Sequence, residues 1–126
     1  FSIHLGGHEV LAGTEAAVTA LLTHLPKVKV GEREFPFRLA GHGPFHTKLC
    51  ATTSAQATSM LADLPVAQPQ CHLIDGFGNV HSPWSADPAE LLHYTTHAQV
   101  LETFDFTACV RTAMREFQPD VLLCAG

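Results

Sequence analysis

Short apolar runs alternate with amphipathic helical stripes along this chain, and Gly or Pro punctuates most of the junctions. That alternation constrains the fold more than any other feature, because strands and helices taken in turn lead to an α/β or α+β architecture. Phe1-Ser2-Ile3-His4-Leu5 reads as a strand, and Glu9 to Ala12 as a second. Gly13 breaks the second, Thr14 is a good helix cap, and Val18, Leu21, Leu22 and Leu25 follow at the spacing of one helical face until Pro26. Lys27 to Val30 and Phe35 to Leu39 are strand-like on either side of a polar turn, and Pro36 places the latter at a sheet edge.

The sharp break Gly41-His42-Gly43-Pro44 precedes Thr47, which can cap a helix reaching about Leu64 with Cys50, Ala57, Met60, Leu61 and Leu64 as its apolar face. Cys71 to Ile74 is a candidate buried strand, and Gly76-Phe77-Gly78-Asn79 a turn. That Gly-x-Gly is too short and isolated to be a nucleotide loop. Asp87-Pro88 opens a helix reaching about Tyr94. Phe106, Cys109, Val110, Ala113 and Phe117 form a cleaner stripe that ends at Pro119, before a final strand over Val121 to Cys124.

At 126 residues with 46% hydrophobic content, the chain is long enough for one domain with a sizeable core. Its formal charge of −5 offers no basic stripe, which argues against nucleic acid as a partner. No apolar run reaches the ~20 residues that span a bilayer, and no secretory signal opens the chain. Cys50, Cys71, Cys109 and Cys124 show no CxxC spacing and read as reduced thiols of a cytoplasmic protein. Both ends, Phe1 and Gly126, look cut from something longer.

Nine histidines are many for this length. His4/His8, His42/His46 and His93/His97 are each four apart, the spacing of a metal pair on a helix. A protein zinc site needs three or four ligands with outer support. His93 and His97 lack the Glu of HExxH, and Gly43-Pro44 keeps His42 and His46 off a common helix, so no metal and no cofactor is expected. None of Ser2, Ser54, Ser59, Ser82 and Ser85 sits in a GxSxG elbow. Cys50 follows Thr47 and Lys48 near a helix start, a weak nucleophile candidate. His46 stands at a strand-to-helix junction, where sites form. On these residues alone it is better read as a loop histidine satisfied by backbone.

Leu39-Ala40-Gly41-His42-Gly43-Pro44-Phe45-His46-Thr47-Lys48-Leu49 resembles the segment around the catalytic histidine of malonyl-CoA:acyl-carrier-protein transacylases and of polyketide and fatty-acid synthase acyltransferase domains. Glu9 to Val18 is similar to the family's strand and helix in its small subdomain, Thr103 to Val110 to a helix start, and Asp120 to Gly126 to a last strand before a Gly-Pro turn. The Phe-His-Thr stretch is the specific part.

The resemblance implies an α/β acyltransferase fold, with 1–40 part of a ferredoxin-like small subdomain and 41–126 the C-terminal portion of an α/β-hydrolase-like large one. It implies ping-pong transfer of a malonyl or related acyl group from CoA to the phosphopantetheine thiol of an acyl carrier protein, through an acyl-serine. His46 falls on the general base, and Phe45 on a position lining the acyl pocket that accompanies malonyl selection. The serine elbow, the carboxylate-binding arginine and the oxyanion loop belong to a missing N-terminal half. Glu102-Thr103 departs from the family's Asn-Pro, and Thr95 to Leu101 reads as an insertion. Lys48, Arg38 and Arg33 are candidates to meet an acidic carrier. Two alternatives are a degenerate acyltransferase-like scaffold or docking module of a synthase, and an unrelated α/β domain whose histidines bind metal.

Overall fold

The computed structural model describes residues 1–125; Gly126, which the resemblance places at a Gly-Pro turn, lies outside them. The architecture is mixed α/β with small sheets. The first strand, β1 (Ile3–Leu5), pairs antiparallel with β2 (His8–Val10), setting Ile3 opposite Val10 and Leu5 opposite His8. Gly6 and Gly7 join them at φ +57° and +95°, the left-handed pair that a two-residue hairpin requires. Helix α1 (Glu15–His24) starts where Thr14 Oγ1 accepts a bond from the Ala17 N–H. Next come β3 (Val28–Val30) and β4 (Arg33–Phe35), an isolated antiparallel hairpin. The second strand of this hairpin is shifted from the expected Phe35–Leu39. Proline has no N–H for the ladder, so Pro36 ends pairing where it was expected to sit inside it.

Beyond the glycine-proline break, Thr47 caps a 3₁₀ turn over Lys48–Cys50 that runs on as α2 (Ala51–Met60). Its apolar face does not form as expected, since Met60 is 83% exposed while Ser54 is buried. Strands β5 (Leu73–Ile74) and β6 (Val80–His81) form a short hairpin that is not buried. Helix α3 (Pro88–His93), capped by Asp87, continues through a π turn at Tyr94–Ala98 into α4 (Gln99–Leu101). The stretch read as an insertion is therefore helical. Strand β7 (Phe104–Asp105) leads into α5 (Phe106–Phe117), whose first turn is held by Asp105 accepting from Ala108 N–H at 2.8 Å.

β7 pairs parallel with β1, setting Ile3 opposite Phe104, so the main sheet runs β2-β1-β7 and joins strands from both ends of the chain. The Gly6 N–H also bonds Thr107 Oγ1 on α5 at 2.8 Å. The expected final strand over Val121–Cys124 is absent. The segment has no strand partner among the described residues, and Leu123 is 92% exposed.

The core is thinner than the length and composition led us to expect. Among the described residues, the fully buried hydrophobic ones are Cys50 and Ala86, while Ser2, Ser54, Asp75, Thr96 and Thr112 are buried polar groups. The physical reason is sheet width: two or three short strands cannot cover a helix face, and α1 buries no residue at all.

Hydrogen bonds do much of the joining. The Asp75 carboxylate accepts from the backbone of Phe77 and Asn79, from the Asn79 side chain and from His81 Nε2. The Cys109 thiol and the Thr112 hydroxyl of α5 donate to the Asp75 and Gly78 carbonyls. No helix among the described residues is long and apolar enough to cross a membrane.

Candidate active site around His46

The loop before α2 is folded tightly on its own backbone. Pro44 O accepts from Thr47 Oγ1 at 2.6 Å and from Cys50 Sγ at 3.3 Å. Phe45 O accepts from Ser2 Oγ at 2.8 Å, which ties the loop to the first strand. Between these anchors His46 adopts φ +59°. A left-handed conformation at a non-glycine residue is uncommon, although His, like Asn and Asp, adopts it more readily than most, and such geometry persists where surrounding structure over-determines it, often at a site.

The imidazole is held from the other side of the chain. His46 Nδ1 lies 2.5 Å from the main-chain oxygen of Gln99, the first residue of α4. A carbonyl only accepts, so the ring proton sits on Nδ1 and donates to it. In the neutral ring, Nε2 then carries the free lone pair. Phe104 from β7 flanks the ring, with centroids 5.4 Å apart. A base whose one nitrogen is fixed by an acceptor and whose other is free is the arrangement that proton abstraction needs. Here a backbone carbonyl does the orienting that a carboxylate does in a Ser-His-Asp triad.

His46 borders two cavities. One, of about 280 Å³, is walled by Ile3, Leu5, Gln99, Phe104 and Phe106 and is mostly apolar. The other, of about 400 Å³, is more polar and includes Thr47, Lys48, Leu101, Glu102 and Thr103. Lys48 thus shares a wall with His46. Phe45 lines neither cavity. The residue is 52% exposed, its ring lies against Gly43, and its carbonyl is bonded to Ser2 before the first strand.

The other basic candidates are committed elsewhere. Arg38 grips Glu15 with two bonds of 2.6 Å; the bonds and the opposite charge hold the Glu15 carboxyl below its ordinary range and push the guanidinium further up. The Arg33 guanidinium lies 5.7 Å over the Phe37 ring.

Among the described residues, no serine or cysteine hydrogen-bonds to His46. Ser54 is 1% exposed and donates to Thr96 O at 2.8 Å. Cys50 is buried and donates to Pro44 O. Burial, and then the charge of Asp75, push the Cys109 thiol up, the wrong direction for a nucleophile.

No family model, no curated protein and no solved structure matches this chain. The chemistry of the site therefore rests on its geometry and on the local likeness in sequence.

Sequence reasoning singled out His46 and missed what holds it. Gln99 acts through a main-chain oxygen, which no residue type reports. Ser2 acts through a hydroxyl 43 positions from its acceptor. Phe104 stood inside the Thr103–Val110 segment already likened to the family and could have been suspected as a neighbour.

Proposed function

We propose that this chain supplies the general base of a ping-pong acyltransferase, with a serine nucleophile contributed by an N-terminal half of the same enzyme. The observation that carries the reading is the Nδ1 bond of His46 to Gln99 O, which leaves Nε2 as the base on a surface shared by two cavities.

In the first half-reaction Nε2 takes the serine proton and the serine oxygen attacks the acyl-CoA thioester carbonyl. The C–S bond breaks, and the CoA sulfur leaves with the proton returned by Nε2. In the second, Nε2 takes the proton of the carrier's phosphopantetheine thiol, and its sulfur attacks the acyl-serine ester. The serine oxygen then leaves and recovers the proton. Serine is a weak nucleophile until a base takes its proton, so each half-reaction depends on the same nitrogen. A malonyl group is the favoured acyl unit on the likeness of the Phe-His-Thr stretch alone, since Phe45 lines neither cavity beside His46. One methyl group is worth only ~1–3 kcal/mol of selectivity, so related acyl groups remain substrates.

A docking or scaffold role is the second reading. It draws on the exposed run Val121 to Leu123 and on the lack of a nucleophile bonded to His46 among the described residues. The enzyme carrying this chain, incubated with labelled malonyl-CoA, separates the two. Acyl transfer requires an alkali-labile acyl-serine and its discharge to a carrier protein, whereas an absence of label under turnover conditions supports the scaffold.

A further inference from the structure

His93 and His97 lie four residues apart on the continuous helical run formed by α3, the π turn and α4. Residues at that spacing are neighbours on one side of a helix. Their rings have centroids 5.0 Å apart and planes inclined by 34°, and they are the histidine pair in ring contact among the described residues. Both side chains are exposed. The π turn spans the residues between them, and π turns are rare features concentrated at functional sites.

Beneath the pair sits Ser54, almost completely buried. Its Oγ donates its proton to Thr96 O at 2.8 Å. With that proton engaged, the contact of 3.3 Å between Ser54 Oγ and His97 Nδ1 runs the other way, the ring N–H donating to the hydroxyl oxygen. His97 is thereby held in the tautomer that leaves Nε2 with its lone pair. Histidines that ligate metals characteristically donate their second ring N–H to an oxygen in this way, which fixes the tautomer and the ring direction. His93 makes no hydrogen bond with a described residue, so its nitrogens are free to turn toward a shared ion.

We propose that His93 and His97 chelate one divalent transition-metal ion through their Nε2 atoms, with water completing the coordination. The described residues bring no group of three His, Cys, Asp or Glu side chains together, so the site is an open, exchangeable one at the surface and not a closed structural centre. Imidazole pairs favour copper, nickel and zinc, with Cu²⁺ the tightest, while Mg²⁺ and Ca²⁺ prefer oxygen. Because the ligands must be unprotonated, acid releases the ion. The inference stands apart from the acyltransferase reading, since none of these residues takes part in the proposed transfer.

Calorimetric titration of the chain with CuCl₂, NiCl₂, ZnCl₂ and MgCl₂ tests it, with electron paramagnetic resonance of the copper form. One equivalent is expected for the first three ions, tightest for Cu²⁺, none for Mg²⁺, and hyperfine structure from two nitrogens. His93→Ala and His97→Ala, both on the surface, should each abolish that equivalent, while His42→Ala leaves it intact. Ser54→Ala, checked for folding by circular dichroism, should keep the stoichiometry and weaken affinity ~10–100-fold. Full binding retained in both His93→Ala and His97→Ala overturns the proposal, as does copper bound through a single imidazole.

Discussion

The main-chain oxygen of Gln99 receives the Nδ1 proton of His46 across 53 residues of sequence. This bond decides which nitrogen is basic. Neutral His46 is therefore expected to be protonated at Nδ1, and long-range ¹H–¹⁵N correlation spectra of the imidazole should report that tautomer. Gln99→Ala keeps the carbonyl and should keep the tautomer. A ring protonated at Nε2 would remove the basis for its role as base.

If the chain serves the proposed acyl transfer, His46→Ala in the protein that carries it should lower kcat by ~10²–10⁴-fold, the range set by general acid–base catalysis. Gln in its place should do no better, because an amide fills the space without taking a proton. Rapid-quench measurement of acyl-serine formation locates the loss in the chemical step. An unchanged burst rate in either variant contradicts the assignment.

If the proposed transfer to a carrier holds, Lys48 and Arg38 should separate in their effect on that carrier. Lys48 shares a cavity wall with His46, whereas Arg38 is already paired with Glu15. Lys48→Ala is expected to raise KM for the carrier and flatten its dependence on salt, since an exposed charge acts through a field that salt screens. Arg38→Ala should alter both much less. Steady-state kinetics across ionic strength compares them.

Asp75 should make stability fall in acid. Burial raises the pKa of its carboxyl, but bonds from the Asn79 side chain and backbone, from Phe77 and from His81 outweigh that and hold it below the ordinary 3.8. The folded state thus binds this proton less readily than the unfolded chain. The stabilisation is complete above the ordinary value and is lost as pH falls through the depressed one. Asp75→Asn should cost about 1–3 kcal/mol at neutral pH, the penalty for leaving buried hydrogen-bonding groups mispaired. It should also flatten that acid limb of the stability curve, as read by urea denaturation between neutral pH and strong acid.

Gly76→Ala should be felt at the site without touching it. A Cβ at position 76 would come within 2.4 Å of Phe104 Cδ2 and 2.9 Å of the Tyr94 hydroxyl. Overpacking of this kind costs typically 1–3 kcal/mol, and the group displaced is the ring that flanks His46. Thermal stability should fall, and with it the kcat of the proposed transfer; a variant that matches the parent in each would show that Phe104 has room to yield.

How far the sequence could be read follows from which groups do the work. The Phe106–Phe117 pattern announced α5, and Thr14 and Asp87 announced their helices, because caps and periodicity are local signals; the Asp105 cap of α5 emerged only in the structure. The face that α5 buries was misjudged: its buried residue is Thr112, while Phe106 and Phe117 stay exposed, because Thr112 and Cys109 meet carbonyls of the turn after β5. The α2 stripe failed for a related reason, since Ser54 turned inward to Thr96 and His97. Val121 to Cys124 has strand composition, but a strand also needs a neighbour. At the site, the motif made His46 visible, whereas Gln99, a backbone acceptor, had no letter to announce it.

The parallel pairing of β1 with β7 has a kinetic consequence. The bonds that shape the loop and ring of His46 run to Ser2 and Gln99, and Phe104 N–H donates to Ser2 O at 2.9 Å. These contacts join residues 43, 53 and 102 positions apart, and long-range pairings form slowly because the intervening chain must be gathered first. Helical signal should therefore return early on refolding from denaturant, while the ring geometry of His46 should appear only with the slowest phase.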